Sequence, residues 1–185
     1  RVLDSLVAAA GDRVRTEVTG QTAEGKVMRV LIISSPANIA RLEQIRRDVA
    51  RLADPRQLTR AQAAELARTT PAVAILSHSI HGNEPAGFET AMMTAYTLLA
   101  SDAPAVKAIL DNTVTIINPS QNPDGHERFA AWSNSVALAL DEPAALEQSE
   151  PWSIQGRFNH YRFDMNRDLV AMSQAETRAT AGLVR

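Results

Sequence analysis

His81 and Glu84, three residues apart in His78-Ser79-Ile80-His81-Gly82-Asn83-Glu84-Pro85, offer an imidazole and a carboxylate to one point. Both groups are good ligands for a divalent metal, Zn²⁺ among the first. Taken alone, an H-x-x-E pair is weak evidence. The helix dipole favours an acid at a helix N-terminus, and a loop imidazole needs no metal.

These groups need elements to hold them. The apolar run Ala72 to Leu76 suits a strand covered on both faces, and Pro85 suits the first turn of a helix. His81 is then a loop residue after a strand and Glu84 stands where the helix begins. That helix buries Phe88, Ala91, Met92, Ala95 and Leu99. A shorter helix, Ala105 to Leu110, precedes a strand from Thr113 to Ile117. Upstream, a helix from Val2 to Ala10 leads into strands Val14 to Thr19 and Val27 to Ser34, an antiparallel hairpin turning through Gly20 and Gly25. One helix opens at Pro36, carries the stripe Ile39, Leu42, Ile45, Val49 and Leu52, and ends at Asp54-Pro55. Thr59 and Gln62 form a capping box for a helix reaching about Arg68.

From Asn118 to about Asp164 the chain reads as loop, with dense turn chemistry in Asn122-Pro123-Asp124-Gly125 and a break from Asp141-Glu142-Pro143 to Pro151. Ser173 and Glu176 suggest a last capped helix. The order implies an α/β fold with antiparallel pairing at its start. Ligands of such sheets collect beyond the carboxyl ends of strands, where Ser77 to Glu84 and Asn118 to Gly125 lie.

Composition narrows the chemistry. A net charge of −2 with no block of like charge gives no electrostatic case for nucleic acid or anionic lipid. With no cysteine there is neither a thiolate metal site nor a thiol nucleophile. No apolar run reaches the roughly 18 residues of a membrane span. A G-x-S-x-G elbow and a glycine-rich phosphate loop are both missing. The chain lacks an initiator Met and a signal peptide, so it is expected to start inside a longer gene product, with the other end cut as well.

His81-Gly82-Asn83-Glu84-Pro85, Asn122-Pro123-Asp124-Gly125 and Asp164-Met165-Asn166-Arg167-Asp168, in this order, resemble the zinc carboxypeptidase family of metallopeptidases. The resemblance extends from about Val27 to Glu176. It implies a three-layer α/β/α sandwich around a mixed sheet. It also implies zinc on His81 and Glu84, with a substrate's terminal carboxylate held by Asn166 and Arg167. The chemistry agrees, since the planar fork of Arg167 can grip a carboxylate through two charge-assisted hydrogen bonds. The plainer alternative for Arg167 is a surface salt bridge to Asp164 or Asp168. A further family arginine polarises the scissile carbonyl; Arg157 is the candidate and Arg128 the alternative.

The family site also needs a third ligand, a histidine beyond the Asn-Arg pair, and a glutamate base further on. The four histidines stand at 78, 81, 126 and 160, and none follows Arg167. Residues 1–185 therefore read as a single incomplete catalytic domain, truncated at its C-terminus, with the missing groups expected beyond Arg185. Such a piece should be inactive alone and should expose a sheet edge that favours self-association. His78, His126 and His160 are the other possible third ligands.

The implied reaction is zinc-dependent hydrolysis at the C-terminus of a peptide with a free carboxylate. One alternative is an amidohydrolase of N-acyl amino acids, similar to aspartoacylase and succinylglutamate desuccinylase, which use the same H-G-N-E sequence. Another is a noncatalytic peptide-binding module. A secreted or periplasmic location is suggested by the resemblance alone.

Overall fold

The structure, a computed structural model, describes residues 2–54, 56, 58–137 and 144–184. The expected helix stop at Pro55 and the expected break at Asp141-Glu142-Pro143 lie outside these residues. Four strands, β1 (Val14–Gln21), β2 (Val27–Ile33), β3 (Ala72–Ser77) and β4 (Thr113–Asn118), form one sheet in the order β1-β2-β4-β3. The chain divides into two compact units. One comprises Arg1–Thr16, Leu31–Ile75 and Met93–Ile117, the other Glu17–Val30, Leu76–Met92 and Asn118–Arg185.

In the first unit the β-branched runs pair antiparallel, Leu31 with Ile117, Ile32 with Ile116 and Ile33 with Thr115. Ile33 and Ile117 are completely buried, and Leu31 and Val114 nearly so. Helix α1 (Val2–Ala10) matches the expected span. The expected single helix from Pro36 is instead two, α2 (Pro36–Ala40) and α3 (Leu42–Ala53), separated at Arg41. Buried Asn38 accounts for the break. Its amide donates to the carbonyls of Leu110 and Asp111, 3.2 and 3.0 Å away, which ties α2 there while α3 turns to bury Ile45. Ser34 Oγ also donates to the Leu110 carbonyl, so the last turn of a later helix, α6 (Pro104–Asn112), has its open carbonyls satisfied. The capping box of Thr59 and Gln62 opens α4 (Arg60–Thr69) as expected.

β3 departs from expectation. It lies at the edge of the sheet, and Val73 and Leu76 remain 39% and 37% exposed instead of covered on both faces. Apolar composition shows what a strand can bury, not what stands beside it. An unpaired edge of this kind offers free backbone groups to another copy. The chain is expected to self-associate as its concentration rises, and light scattering showing a monomer throughout would reject this.

The second unit contains the start of α5 (Pro85–Ala100), then α7 (Pro123–Val136) and α8 (Ala175–Gly182). Helix α7 corrects the loop reading of Asn118 to Asp164. The Asn122 side chain accepts from the Gly125 amide and Pro123 takes the first helical position, so Asn-Pro-Asp-Gly starts a helix here.

Ser173 and Glu176 do not cap α8. Buried Asp168 instead holds the residues that lead into it, accepting from the amides of Ser173 at 2.9 Å and of the N-cap residue Gln174 at 2.8 Å. Burial opposes the charge of Asp168. The amides of Gln174 and Ser173 and the hydroxyl of Ser173 outweigh it and bring the carboxyl down to about 2. A carboxyl depressed on folding stabilises the chain above its unfolded pKa, about 3.9, and loses that contribution as pH falls towards its folded value. Asp168→Ala should therefore cost about 2 kcal/mol at neutral pH. In urea unfolding the deficit should shrink as pH approaches about 2. A deficit that ignores pH would refute this origin.

Candidate metal centre

The loop after β3 is bent at Ser79, whose φ of +47° is left-handed, a conformation rare outside glycine. Its hydroxyl donates to the Glu84 carbonyl at 3.0 Å and closes the loop over both candidate ligands. Gly87 makes the space, because a Cβ there would lie 2.2 Å from Ser79 Oγ. Asn83, between the ligands, donates its amide to Glu150 Oε2 at 2.8 Å, and Glu150 Oε1 accepts from the Gly156 amide at 2.5 Å.

His81 is buried and Glu84 exposed. The imidazole stands between two carboxylates, with Nδ1 2.9 Å from Glu84 Oε1 and Nε2 3.2 Å from Asp164 Oδ1. A neutral imidazole carries one N–H. With both nitrogens facing carboxylate oxygens, a neutral ring donates to only one of them. If Nε2–H donates to Asp164, the Nδ1 lone pair faces Glu84. Metal bonds of about 2.0–2.2 Å put two ligand atoms of one zinc ion roughly 3 Å apart. The residues present therefore fit one edge of a zinc site. The second carboxylate takes the part commonly played behind a metal-binding histidine, fixing tautomer and ring orientation.

Asp164 is the residue that sequence reasoning undervalued. Its Oδ1 also accepts from the Asn166 amide at 3.0 Å, starting the short 3-10 turn Met165–Arg167. Its Oδ2 accepts from Arg157 Nε and Nη2 at 3.2 and 3.1 Å. One carboxylate thus ties the metal pair, the proposed clamp and the candidate arginine together. Burial opposes its charge, but the Asn166 amide, the Arg157 guanidinium and the His81 ring hold it below the usual carboxylate value. The only local signal was an Asp placed to cap the turn.

Arg157 is 38% exposed at its side chain. Arg128 is committed elsewhere: its guanidinium donates to the carbonyls of Ile154, Gln155, Phe158 and Asn159 at 2.6 to 3.2 Å. That use binds the segment carrying Arg157. Asn166 and Arg167 are both exposed. Arg167 donates to the Asn166 carbonyl and forms no ion pair among the described residues. The plainer salt-bridge role fails, since Asp164 holds Arg157 and Asp168 accepts from the Ser173 and Gln174 amides.

The remaining histidines do not join His81 and Glu84. His78 Nε2 is buried without a partner, His126 Nδ1 donates to the Gly82 carbonyl at 3.1 Å, and His160 Nδ1 lies 2.9 Å from Glu24. Among the described residues only Glu24, Asp124 and His160 form a group of three with metal-ligand spacing. The Lys26 ammonium already serves that group as its cation, 2.9 Å from buried Asp124 and 2.5 Å from Glu24. Burial works against the charge of Lys26, but Glu127, Glu24 and Asp124 raise its pKa well above the ordinary lysine value. Thr22 Oγ1 adds a 2.8 Å hydrogen bond to Asp124, fastening the β1–β2 turn to the start of α7.

No curated protein matches the chain. Solved structures do, with nearly the whole chain aligned. A protein of Shewanella denitrificans assigned as a carboxypeptidase A shares 19% identity, with 97% of this chain covered and a TM-score of 0.58. A metallo-carboxypeptidase of Burkholderia cenocepacia shares 15% over 99% with a TM-score of 0.57, and carboxypeptidase A of Helicoverpa armigera 14% over 98% with 0.55. At these identities the likeness shows the fold, α/β with a mixed sheet. The chain spans 34%, 35% and 40% of the length of those three chains. The sequence model of the zinc carboxypeptidases matches residues 1–180, nearly the whole length. With the H-x-x-E pair, the N-P-D-G helix start and the D-x-N-R turn all in place, the chain belongs to the zinc carboxypeptidase family.

Proposed function

We propose that this chain carries the metal-binding edge and the carboxylate clamp of a metallocarboxypeptidase that removes residues from the C-terminus of peptides. The observation that carries the reading is Asp164 Oδ1, shared by His81 Nε2 and the Asn166 amide. It sets the metal pair and the clamp at a fixed offset, as cleavage next to a chain end requires.

His81 and Glu84 would hold zinc, which supplies Lewis acidity towards the scissile carbonyl and lowers the pKa of a bound water. Asp164 keeps the His81 proton on Nε2 and leaves Nδ1 for the metal. Arg167, with no internal ion pair, grips the terminal carboxylate, and Asn166 adds side-chain hydrogen bonds to it. Arg157 presents positive charge near the metal pair, where charge develops on the carbonyl oxygen. A third ligand and a general base are not gathered at His81 and Glu84 among the described residues, so we infer that this chain alone does not hydrolyse peptides. That same observation favours a peptide-binding role as the second reading. No helix among the described residues is long and apolar enough to cross a membrane.

Two measurements on the chain test the reading. Zinc binding, followed by chelator competition, should be lost in His81→Ala and in Glu84→Ala and kept in Arg167→Ala. Binding of a peptide with a free C-terminal carboxylate should fall roughly 10- to 100-fold in Arg167→Ala, the worth of a charge-assisted pair. An amidated peptide should bind the same variant and the parent alike. Zinc binding that survives both ligand substitutions would refute the metal assignment, and indifference to amidation would refute the clamp.

A further inference from the structure

We propose that His126 is a positioning residue for the metal pair, fixing the Gly82 carbonyl between His81 and Glu84 so that the ligand loop is set before an ion arrives. His126 lies in the first turn of α7, with Nδ1 3.1 Å from Gly82 O. A carbonyl only accepts, so Nδ1 carries the proton. The same ring lies flat on Phe88 in the first turn of α5, with centroids 3.6 Å apart and planes 21° from parallel. It therefore holds the chain on both sides of Glu84: the backbone two residues before it and a side chain four residues after it.

The backbones are equally close. A Cβ on Gly82 would stand 2.2 Å from the His126 nitrogen and 2.3 Å from the Gly125 carbonyl carbon. The loop thus rests directly on the start of α7, which only glycine at 82 permits. His126 turns that contact into a directed bond. A stack alone could slide along Phe88; the Nδ1–H···O bond gives the loop one register.

The meaning of this role rests on the reading of His81 and Glu84 as ligands, but its test does not. Amide hydrogen exchange of residues 79–84 is measured by mass spectrometry in the metal-free chain, and zinc affinity by chelator competition. The variants are His126→Phe, which keeps the stack and removes the donor, and His126→Asn, whose side-chain amide can reach the same carbonyl. His126→Phe should speed exchange of the loop and weaken zinc binding, each about tenfold, with the thermal midpoint little changed. His126→Asn should restore both. Exchange in His126→Phe at the parent rate overturns the proposal. So does a His126→Asn chain that exchanges as fast as His126→Phe, because a restored donor would then fail to hold the loop. If exchange follows expectation while the parent and Glu84→Ala bind zinc equally, the metal assignment fails and the fixing of the loop by His126 stands. Should His126→Phe not fold, His126→Gln and His126→Leu make the same donor comparison.

Discussion

Replacing Asp164 with alanine is expected to weaken zinc binding about 10- to 100-fold, the usual loss when a metal-binding histidine is stripped of its outer partner. Three contacts go at once. His81 Nε2 loses its acceptor, so neither the tautomer nor the ring plane is fixed. The Asn166 amide loses the oxygen that starts the clamp turn, and Arg157 loses its only ion pair among the described residues. Asp164→Asn keeps an oxygen for the histidine and the amide and releases chiefly Arg157. It should fall between the parent and the alanine variant. Chelator competition on the three chains orders them. Parent-strength binding in Asp164→Ala would end the tie drawn here between the two motifs.

The largest effect on stability is expected at Asp124, which is 1% exposed and touched by Lys26, Thr22 and the Glu24 amide. Asp124→Ala would remove three charge-assisted contacts, each worth about 1.5–3 kcal/mol. Lys26 would keep Glu24 and Glu127, so its charge stays compensated and the loss falls at the low end, about 3 kcal/mol in all. For a chain of this length that lowers the unfolding midpoint by roughly 10 °C. A cycle with Lys26→Met separates the pair from the Thr22 hydrogen bond. A midpoint unchanged in Asp124→Ala would mean that the β1–β2 turn is held by something else.

The parts of the proposed site that can be read from the sequence are contiguous ones. His81 and Glu84, and Asn166 and Arg167, lie in stretches where five neighbouring residues carry the chemistry, so no long-range information is needed. Strands β2 and β4 are legible for the same reason, as β-branched runs bounded by turn residues. What escapes is everything that acts at a distance. Asp164 lies 83 residues from His81, and Glu150 lies 67 from Asn83; no local pattern joins them. Helix α7 escapes because Asn-Pro-Asp-Gly satisfies the rules for a turn as well as those for a helix start. Only the Asn122-to-Gly125 bond decides between them. Likewise Asp168 anchors the entry to α8 from six residues before Gln174, outside the short window in which a local partner is sought.

The Gln155–Gly156 peptide has its oxygen on the Arg128 guanidinium and its hydrogen on the Glu150 carboxylate. A half-turn of that plane would set oxygen against oxygen at Glu150 and hydrogen against hydrogen at Arg128. Peptide-plane inversion, an inexpensive rearrangement for a surface segment, is thereby closed to the stretch that presents Arg157. The two charges never touch, yet they lock one amide between them, and the guanidinium beside the metal pair takes its bearing from that lock.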